Sequence, residues 1–136
     1  MSYESAVTEF MLRNKQHVGV MYRDNGDFLD VKVPEEVKVL RLRLMMEELA
    51  EVTIAMHQGD LIGVADGLAD LIYVVVGTAV AYGIPIDEVF DEVHKSNMTK
   101  MPLNEFNKGG KVGKGDSFKP PQIESVLLAR ANTRLK

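Results

Sequence analysis

The spacing of apolar residues along the chain predicts four helices and a short fifth one. Apolar positions recur every three or four residues in 3–15, 34–58, 60–82 and 87–99, as expected for helices that bury one face. A similar but shorter pattern runs through 123–136. We therefore expect an all-α fold, a bundle of four to five helices.

Residues that begin and end helices agree with this division. Pro34 suits a first helical turn, and Gly59 is placed to end the second helix. Asp60 is expected to cap the third helix and Asp87 the fourth. The short connection around Gly59 and Asp60 predicts that the second and third helices are antiparallel neighbours.

Two segments interrupt the helical pattern. In 17–33, two short β-prone runs flank the turn signal "DNGD", which indicates an irregular or hairpin-like connection. Residues 101–122 are rich in Gly, Pro and Lys, which predicts a basic loop or tail packed on the body. The 136 residues contain no internal repeat, so we expect a single domain over 1–136.

The composition excludes several classes of protein. The chain has no Cys, which excludes disulfides and Cys-ligated zinc and favours a cytoplasmic location. Its longest apolar run, residues 71–86, has 16 residues, whereas a membrane-spanning helix needs roughly 20. We therefore expect a buried helix and no membrane partner.

Charge is divided unevenly along the chain. Residues 44–94 hold ten acids and no Lys or Arg, whereas 95–136 hold nine bases and three acids. Two of the acids, Asp66 and Asp70, stand in the apolar run "GVADGLADLIYVVVG". Burial of an unpaired carboxylate is costly, so their partner is the basic tail, another subunit or a metal cation. The acidic centre argues against nucleic acid as a partner, while the basic tail favours an anionic ligand such as phosphate.

Helix geometry predicts that the central acids lie together. Glu47, Glu48 and Glu51 share one face of the second helix, and Asp66 and Asp70 share one face of the third. In an antiparallel hairpin the two faces lie at similar heights, so five carboxylates can converge. Magnesium, or manganese, binds such oxygen ligands together with substrate phosphates. The alternative is that the Glu side chains are solvated and the Asp side chains pair with lysines of the tail.

The motifs "EELAE" and "DGLADLIY" resemble those of the all-α nucleoside triphosphate pyrophosphohydrolases. This group includes the MazG-type enzymes, phosphoribosyl-ATP pyrophosphohydrolase and the dimeric dUTPases, and its signature is Glu-Glu-x-x-Glu followed by Glu-x-x-Asp on the next helix. The segment "EVHKSNMTK" also looks like this family, and the likeness covers roughly residues 35–120. One position departs from the signature, because residue 67 is Gly and Asp66 takes the place of the family's Glu.

The resemblance implies magnesium-dependent hydrolysis of a nucleoside triphosphate to the monophosphate and pyrophosphate, as housecleaning of the nucleotide pool. Glu48, Glu51 and Asp70 would be the principal metal ligands and Asp66 a provisional one. Glu47 would orient or deprotonate the attacking water, so Glu47 and Glu48 are the candidate catalytic residues. Alternatives are an enzyme specific for phosphoribosyl-ATP or dUTP and, in another class, a non-catalytic helical dimer that binds metal or nucleotide.

The same resemblance suggests residues that bind the substrate. Asn97 and Lys100 in "SNMTK" correspond to the family's phosphate-side residues, and Lys111 and Lys114 in "GGKVGKGD" are placed to close over the phosphates. The segment "EFMLRNKQ" looks like the family's N-terminal helix, where Gln16, Asn14 or Phe10 is a candidate contact to the base. The alternative for each of them is a packing or surface role. The alternative for the lysines is a solvated tail. The resemblance also implies a core completed by dimerisation, and the small residues of the third helix favour a homodimer or a dimer of dimers.

Overall fold

The chain folds as a helical bundle with a small sheet at one side. The computed structural model describes residues 1–24, 29–100, 113–115 and 117–133. The helices are α1 (Tyr3–Arg13), α2 (Glu35–Gln58), α3 (Leu61–Ala81), α4 (Ile86–Asn97) and α5 (Ile123–Arg130). The predicted all-α class is therefore confirmed.

Three short strands form the sheet. β1 (Met21–Arg23) pairs antiparallel with β2 (Leu29–Val31), which confirms the hairpin predicted for 17–33. β3 (Asn132–Thr133) pairs parallel with β1 on its other edge. The prediction that the last helix continues beyond residue 130 is wrong, because Ala131 adopts an extended conformation and the following residues join the sheet.

The turn between α2 and α3 has the capping residues that the sequence predicts, whereas the start of α4 does not. Gly59 has φ 69°, the left-handed conformation that ends α2, and the Asp60 carboxylate accepts a hydrogen bond from the Gly63 N–H at 3.0 Å. The prediction that Asp87 caps α4 is wrong. Its own N–H donates to Glu4 Oε1 at 3.1 Å, so a side chain of α1 satisfies the start of α4.

The core lies where α1 crosses the second half of α3. Its buried members are Val7, Met11, Val76, Val80 and Ala81. α2 packs along the length of α3, as expected for the antiparallel hairpin. This pairing brings Glu48 of α2 close to Asp70 of α3.

A large apolar surface remains exposed on the hairpin. By length and composition alone, α3 could cross a membrane, and only 17% of its most apolar window is buried. Exposed apolar side chains on α3 are Leu61, Ile62, Leu68, Ile72 and Val75, and those on α2 are Val39, Leu42, Met46, Leu49, Ile54 and Met56. Among the described residues, α3 is therefore covered chiefly where it packs against α1 and α2.

Hydrogen bonds hold the C-terminal segment against α4. The buried Ser96 Oγ donates to the Lys119 carbonyl at 2.7 Å, and the Lys119 N–H donates to Thr99 Oγ1 at 2.8 Å. Further along, Arg130 forms a salt bridge of 2.7 Å with Glu88. Of the predicted basic tail, residues 101–112 and 116 lie outside the described residues.

Candidate active site

One face of α2 points towards α3 and carries two charged residues among apolar ones. Arg41, Val52 and Ala55 are buried on this face. Glu48 follows Arg41 by seven residues and precedes Val52 by four, which places it on the same face. Within the described part of the chain, its Oε2 atom is buried and has no hydrogen-bond partner. A buried carboxylate oxygen without a partner is costly and needs an explanation.

The surroundings of Glu48 oppose its ionisation. Burial raises the pKa of the Glu48 carboxyl, and the neighbouring charges of Glu51 and Asp70 raise it further. A side-chain hydrogen bond with Glu51 and the charge of Glu47 act in the same direction. The structure therefore brings three of the other predicted carboxylates close enough to Glu48 to raise its pKa.

The carboxylates lie near one another but do not have the geometry of a preformed metal site. Among the described residues, no group of three or more His, Asp or Glu side chains has the arrangement of a metal site. Glu51 and Asp70 are exposed, and Glu47 forms an exposed salt bridge of 3.7 Å with Arg43. In this same part of the chain, no Lys or Arg forms a salt bridge with Glu48, Glu51 or Asp70.

Asp66 stands apart from this group. It is exposed, makes no salt bridge with the described basic residues, and is absent from the charges that act on Glu48. Its neighbour Gly67 is buried where α3 meets α2, and a Cβ atom there would lie 2.9 Å from Val52 Cβ. Gly67, which occupies the signature position of the family's Glu, is therefore a contact point between the two helices.

The raised pKa of Glu48 predicts how the stability of the metal-free protein depends on pH. An ordinary Glu has a pKa of about 4.3, and the folded state holds the Glu48 proton above that value. The stabilisation is fully present below about pH 4.3 and is lost as the pH rises through the raised pKa. Thermal unfolding of the metal-free wild type and of Glu48→Gln, followed from pH 4 to 8, should show a fall that the variant lacks. Parallel curves for the two proteins would contradict this assignment.

The residues predicted to bind phosphates lie at the other end of the chain. Asn97 is the last residue of α4 and is exposed, and Lys100 follows it by one turn. Lys114 is exposed, with Nζ 5.1 Å from the centre of the Phe118 ring. Lys111 lies outside the described residues. Their roles stay predictions.

A cavity one to two turns from Glu48 is lined in part by Arg41, a residue that the sequence does not mark as functional. Its volume is about 260 Å³, and it lies between α1, α2 and α3. The lining residues are Val7, Phe10, Met11, Gln16, Arg41, Leu44, Tyr73 and Val74. Gln16 was predicted as a contact to the base, but Arg41 was not singled out. The available signal was its seven-residue spacing from Glu48, which places a second charge on the buried face of α2.

A known protein family matches the part of the chain that contains this hairpin. Residues 31–97 match the family described as phosphoribosyl-ATP pyrophosphohydrolase, so the match includes all of α2, α3 and α4. No curated protein matches the chain. These residues form an all-α nucleoside triphosphate pyrophosphohydrolase domain.

This match confirms the resemblance inferred from "EELAE" and "DGLADLIY". The pyrophosphohydrolase domain makes the chain a hydrolase that acts on acid anhydrides, and its substrate is a nucleotide. Glu48, Glu51 and Asp70 all lie within the matched residues, on the two helices that carry the family's acidic signature.

Proposed function

We propose that the chain hydrolyses a nucleoside triphosphate to the monophosphate and pyrophosphate with magnesium as its cofactor. The observation that carries this proposal is the buried, unpartnered Oε2 of Glu48 among the carboxylates of Glu51, Asp70 and Glu47. Such a cluster is repulsive by itself, and a divalent cation would relieve the repulsion. Housecleaning of the nucleotide pool is the role that this activity supports.

The residues present fit a hard divalent cation. Carboxylate oxygens are the ligands that magnesium and manganese prefer, and the orphaned Glu48 oxygen is one that a cation would satisfy. Glu48, Glu51 and Asp70 would hold it, and Asp66 remains a provisional further ligand. When bound, magnesium polarises phosphoryl oxygens and neutralises the charge that develops on them.

The remaining chemistry falls to this chain's own side chains. The exposed Glu47 carboxylate can accept a hydrogen bond from a water and take its proton, because an exposed salt bridge such as that with Arg43 is weak. Attack of that water on the α-phosphorus breaks the bond to the bridging oxygen and releases pyrophosphate. Asn97, Lys100, Lys111 and Lys114 would bind the phosphates.

The family that matches the hairpin supplies the alternative substrate. Its description names phosphoribosyl-ATP, and hydrolysis of that nucleotide, or of dUTP alone, would use the same carboxylates. Pyrophosphate release should be measured with purified protein on the common ribo- and deoxyribonucleoside triphosphates and on phosphoribosyl-ATP. Each assay is run with magnesium, with manganese and with a chelator. We expect release from at least one triphosphate, lost with the chelator. No release from any nucleotide, or release that survives the chelator, would overturn the proposal.

We also propose that two copies of the chain, or a dimer of dimers, cover the apolar surface of α2 and α3. Ile62 is 83% exposed and Leu61 79% exposed, which is unusual for large apolar side chains beside one another. A homodimer would bury this surface and complete the core. A cytoplasmic location remains a prediction from the absence of Cys.

This assembly predicts a change in mass when a charge is introduced into the surface. Light scattering after size-exclusion chromatography should give two or four times the chain mass for the wild type. We expect Ile72→Glu to lower it, because the new carboxylate would be buried without a partner. Val20→Glu, at a comparably exposed apolar residue outside α2 and α3, is the matched control. A wild-type monomer that binds lipid vesicles would instead show that α3 meets a membrane.

A further inference from the structure

Arg41 is a buried cation with no carboxylate partner among the described residues. It is 5% exposed, and its nearest acceptors are neutral. Nη2 donates to the Val74 carbonyl at 2.9 Å, and Nε donates to Thr78 Oγ1 at 3.3 Å. A guanidinium has five N–H donors, and only two bonds to neutral groups are seen here. Most of its positive charge is therefore uncompensated. Removing a charge from water without a counter-charge is costly.

The fold holds this guanidinium in one place. A Cβ atom on Gly77 would overlap Nη2, so the absence of a side chain there makes room for it. Thr78 Oγ1 also donates to the Val74 carbonyl at 2.8 Å, which fixes the hydroxyl that accepts from Arg41. A donor held in this way is available to a ligand at little further cost in side-chain entropy.

The cavity beside Arg41 is lined mostly by apolar and aromatic side chains. Phe10 and Tyr73 meet edge to face at 5.5 Å on its wall, and its volume is about 260 Å³. Gln16 is brought to it by the turn that ends α1, where Lys15 has φ 56° and the Gln16 N–H donates to the Met11 carbonyl at 2.8 Å. An apolar pocket with a few fixed polar groups is typical of small-ligand sites.

The cavity lies at a suitable distance from the carboxylates. Arg41 and Glu48 are seven residues apart on one face of α2, which corresponds to about 10 Å along the helix. On α3, Asp70 precedes Val74 by a single turn. A nucleotide whose phosphates meet the carboxylates would therefore place its base in this cavity.

We propose that this cavity binds the base and that Arg41 selects bases presenting a carbonyl oxygen at that edge. Uracil, thymine, guanine and hypoxanthine have such an oxygen where cytosine and adenine have an amino group. A guanidinium only donates hydrogen bonds, so it bonds to a carbonyl and opposes an amino group. This assignment rests on the proposed function, since it concerns the substrate of the same site.

Two pairs of substrates test the selection directly. Inosine and adenosine triphosphates differ at one exocyclic position of a purine, and uridine and cytidine triphosphates differ at one of a pyrimidine. We expect kcat/KM to favour the carbonyl member of each pair by at least ~10-fold, as a charge-assisted hydrogen bond allows. Arg41→Met should bring both ratios close to one. Arg13→Met, which removes an exposed guanidinium from α1, is the control that should retain them.

The possible outcomes distinguish a failure of the base selection by Arg41 from a failure of the proposed hydrolysis. Equal or reversed ratios in an active wild type would overturn the role of Arg41 and leave the proposed function intact. If no triphosphate is hydrolysed, the proposed function fails, and calorimetric binding of the same pairs then decides the selection by itself. If Arg41→Met does not fold, Gln16→Glu serves, because an exposed carboxylate at the cavity should lower both ratios at least ~5-fold. Unchanged ratios in that variant would contradict the assignment.

Discussion

Replacement of Glu48 by Gln is expected to lower the rate of pyrophosphate release at least ~100-fold. The amide keeps the size of the side chain but removes the negative charge that a divalent cation needs. The metal contributes several kcal/mol to stabilising the transition state, which corresponds to a rate loss of this order or larger. Steady-state kinetics over a range of magnesium concentrations would measure the loss.

The same substitution is expected to stabilise the metal-free protein at neutral pH. It removes a carboxylate that is buried at Oε2 and repelled by Glu51 and Asp70. A variant that is inactive but melts at a higher temperature cannot be explained by misfolding. Glu9→Gln, at an exposed position in the middle of α1, is the control for the loss of one charge and should change neither quantity. Full activity in Glu48→Gln would show that the reaction does not use this carboxylate.

Substitution of Gly67 by Glu is expected to destabilise the hairpin, although it restores the residue that the family signature has there. A Cβ atom at position 67 would lie 2.9 Å from Val52 Cβ and 3.2 Å from Val52 Cα, so the helices would have to separate. Overpacking of this kind typically costs about 1–3 kcal/mol, and a carboxylate forced into the contact adds to the cost. Denaturant unfolding would measure the change in the free energy of unfolding.

Ala129→Glu is the control for Gly67→Glu. It adds the same side chain to an exposed position on α5, outside the apolar surface of α2 and α3, and we expect its effect on stability to be small. If Gly67→Glu instead folded with wild-type stability and bound magnesium more tightly, position 67 would be a ligand position. The close contact between Gly67 and Val52 would then not be a requirement of the fold.

The helices and the acidic face could be predicted from the sequence because both depend on local spacing. Glu48, Glu51 and Asp70 follow helical periodicity, and the turn at Gly59 sets their relative height. The start of α4 could not be predicted in the same way. The Asp87 N–H in its first turn donates to Glu4, 83 residues earlier in the chain, and local capping rules contain no information about such a partner.

The positions of Arg41 and Gly67 at the site also could not be predicted from local sequence patterns. A lone Arg in a helix is ordinarily exposed, and only the packing of Gly77 and Val74 against it reveals a buried donor. The Gly at position 67 was interpreted as a missing ligand, whereas the structure places it in the contact between α2 and α3. Both features depend on how closely two helices approach, which residue spacing alone does not specify.

Anomalous diffraction from crystals soaked in manganese is the most direct measurement of whether the hairpin carboxylates share a cation. We expect an anomalous peak bound by Glu48 Oε2 together with an oxygen from each of Glu51 and Asp70. A hairpin without the ion, or one in which basic side chains pair with these three carboxylates, would contradict the proposed mechanism.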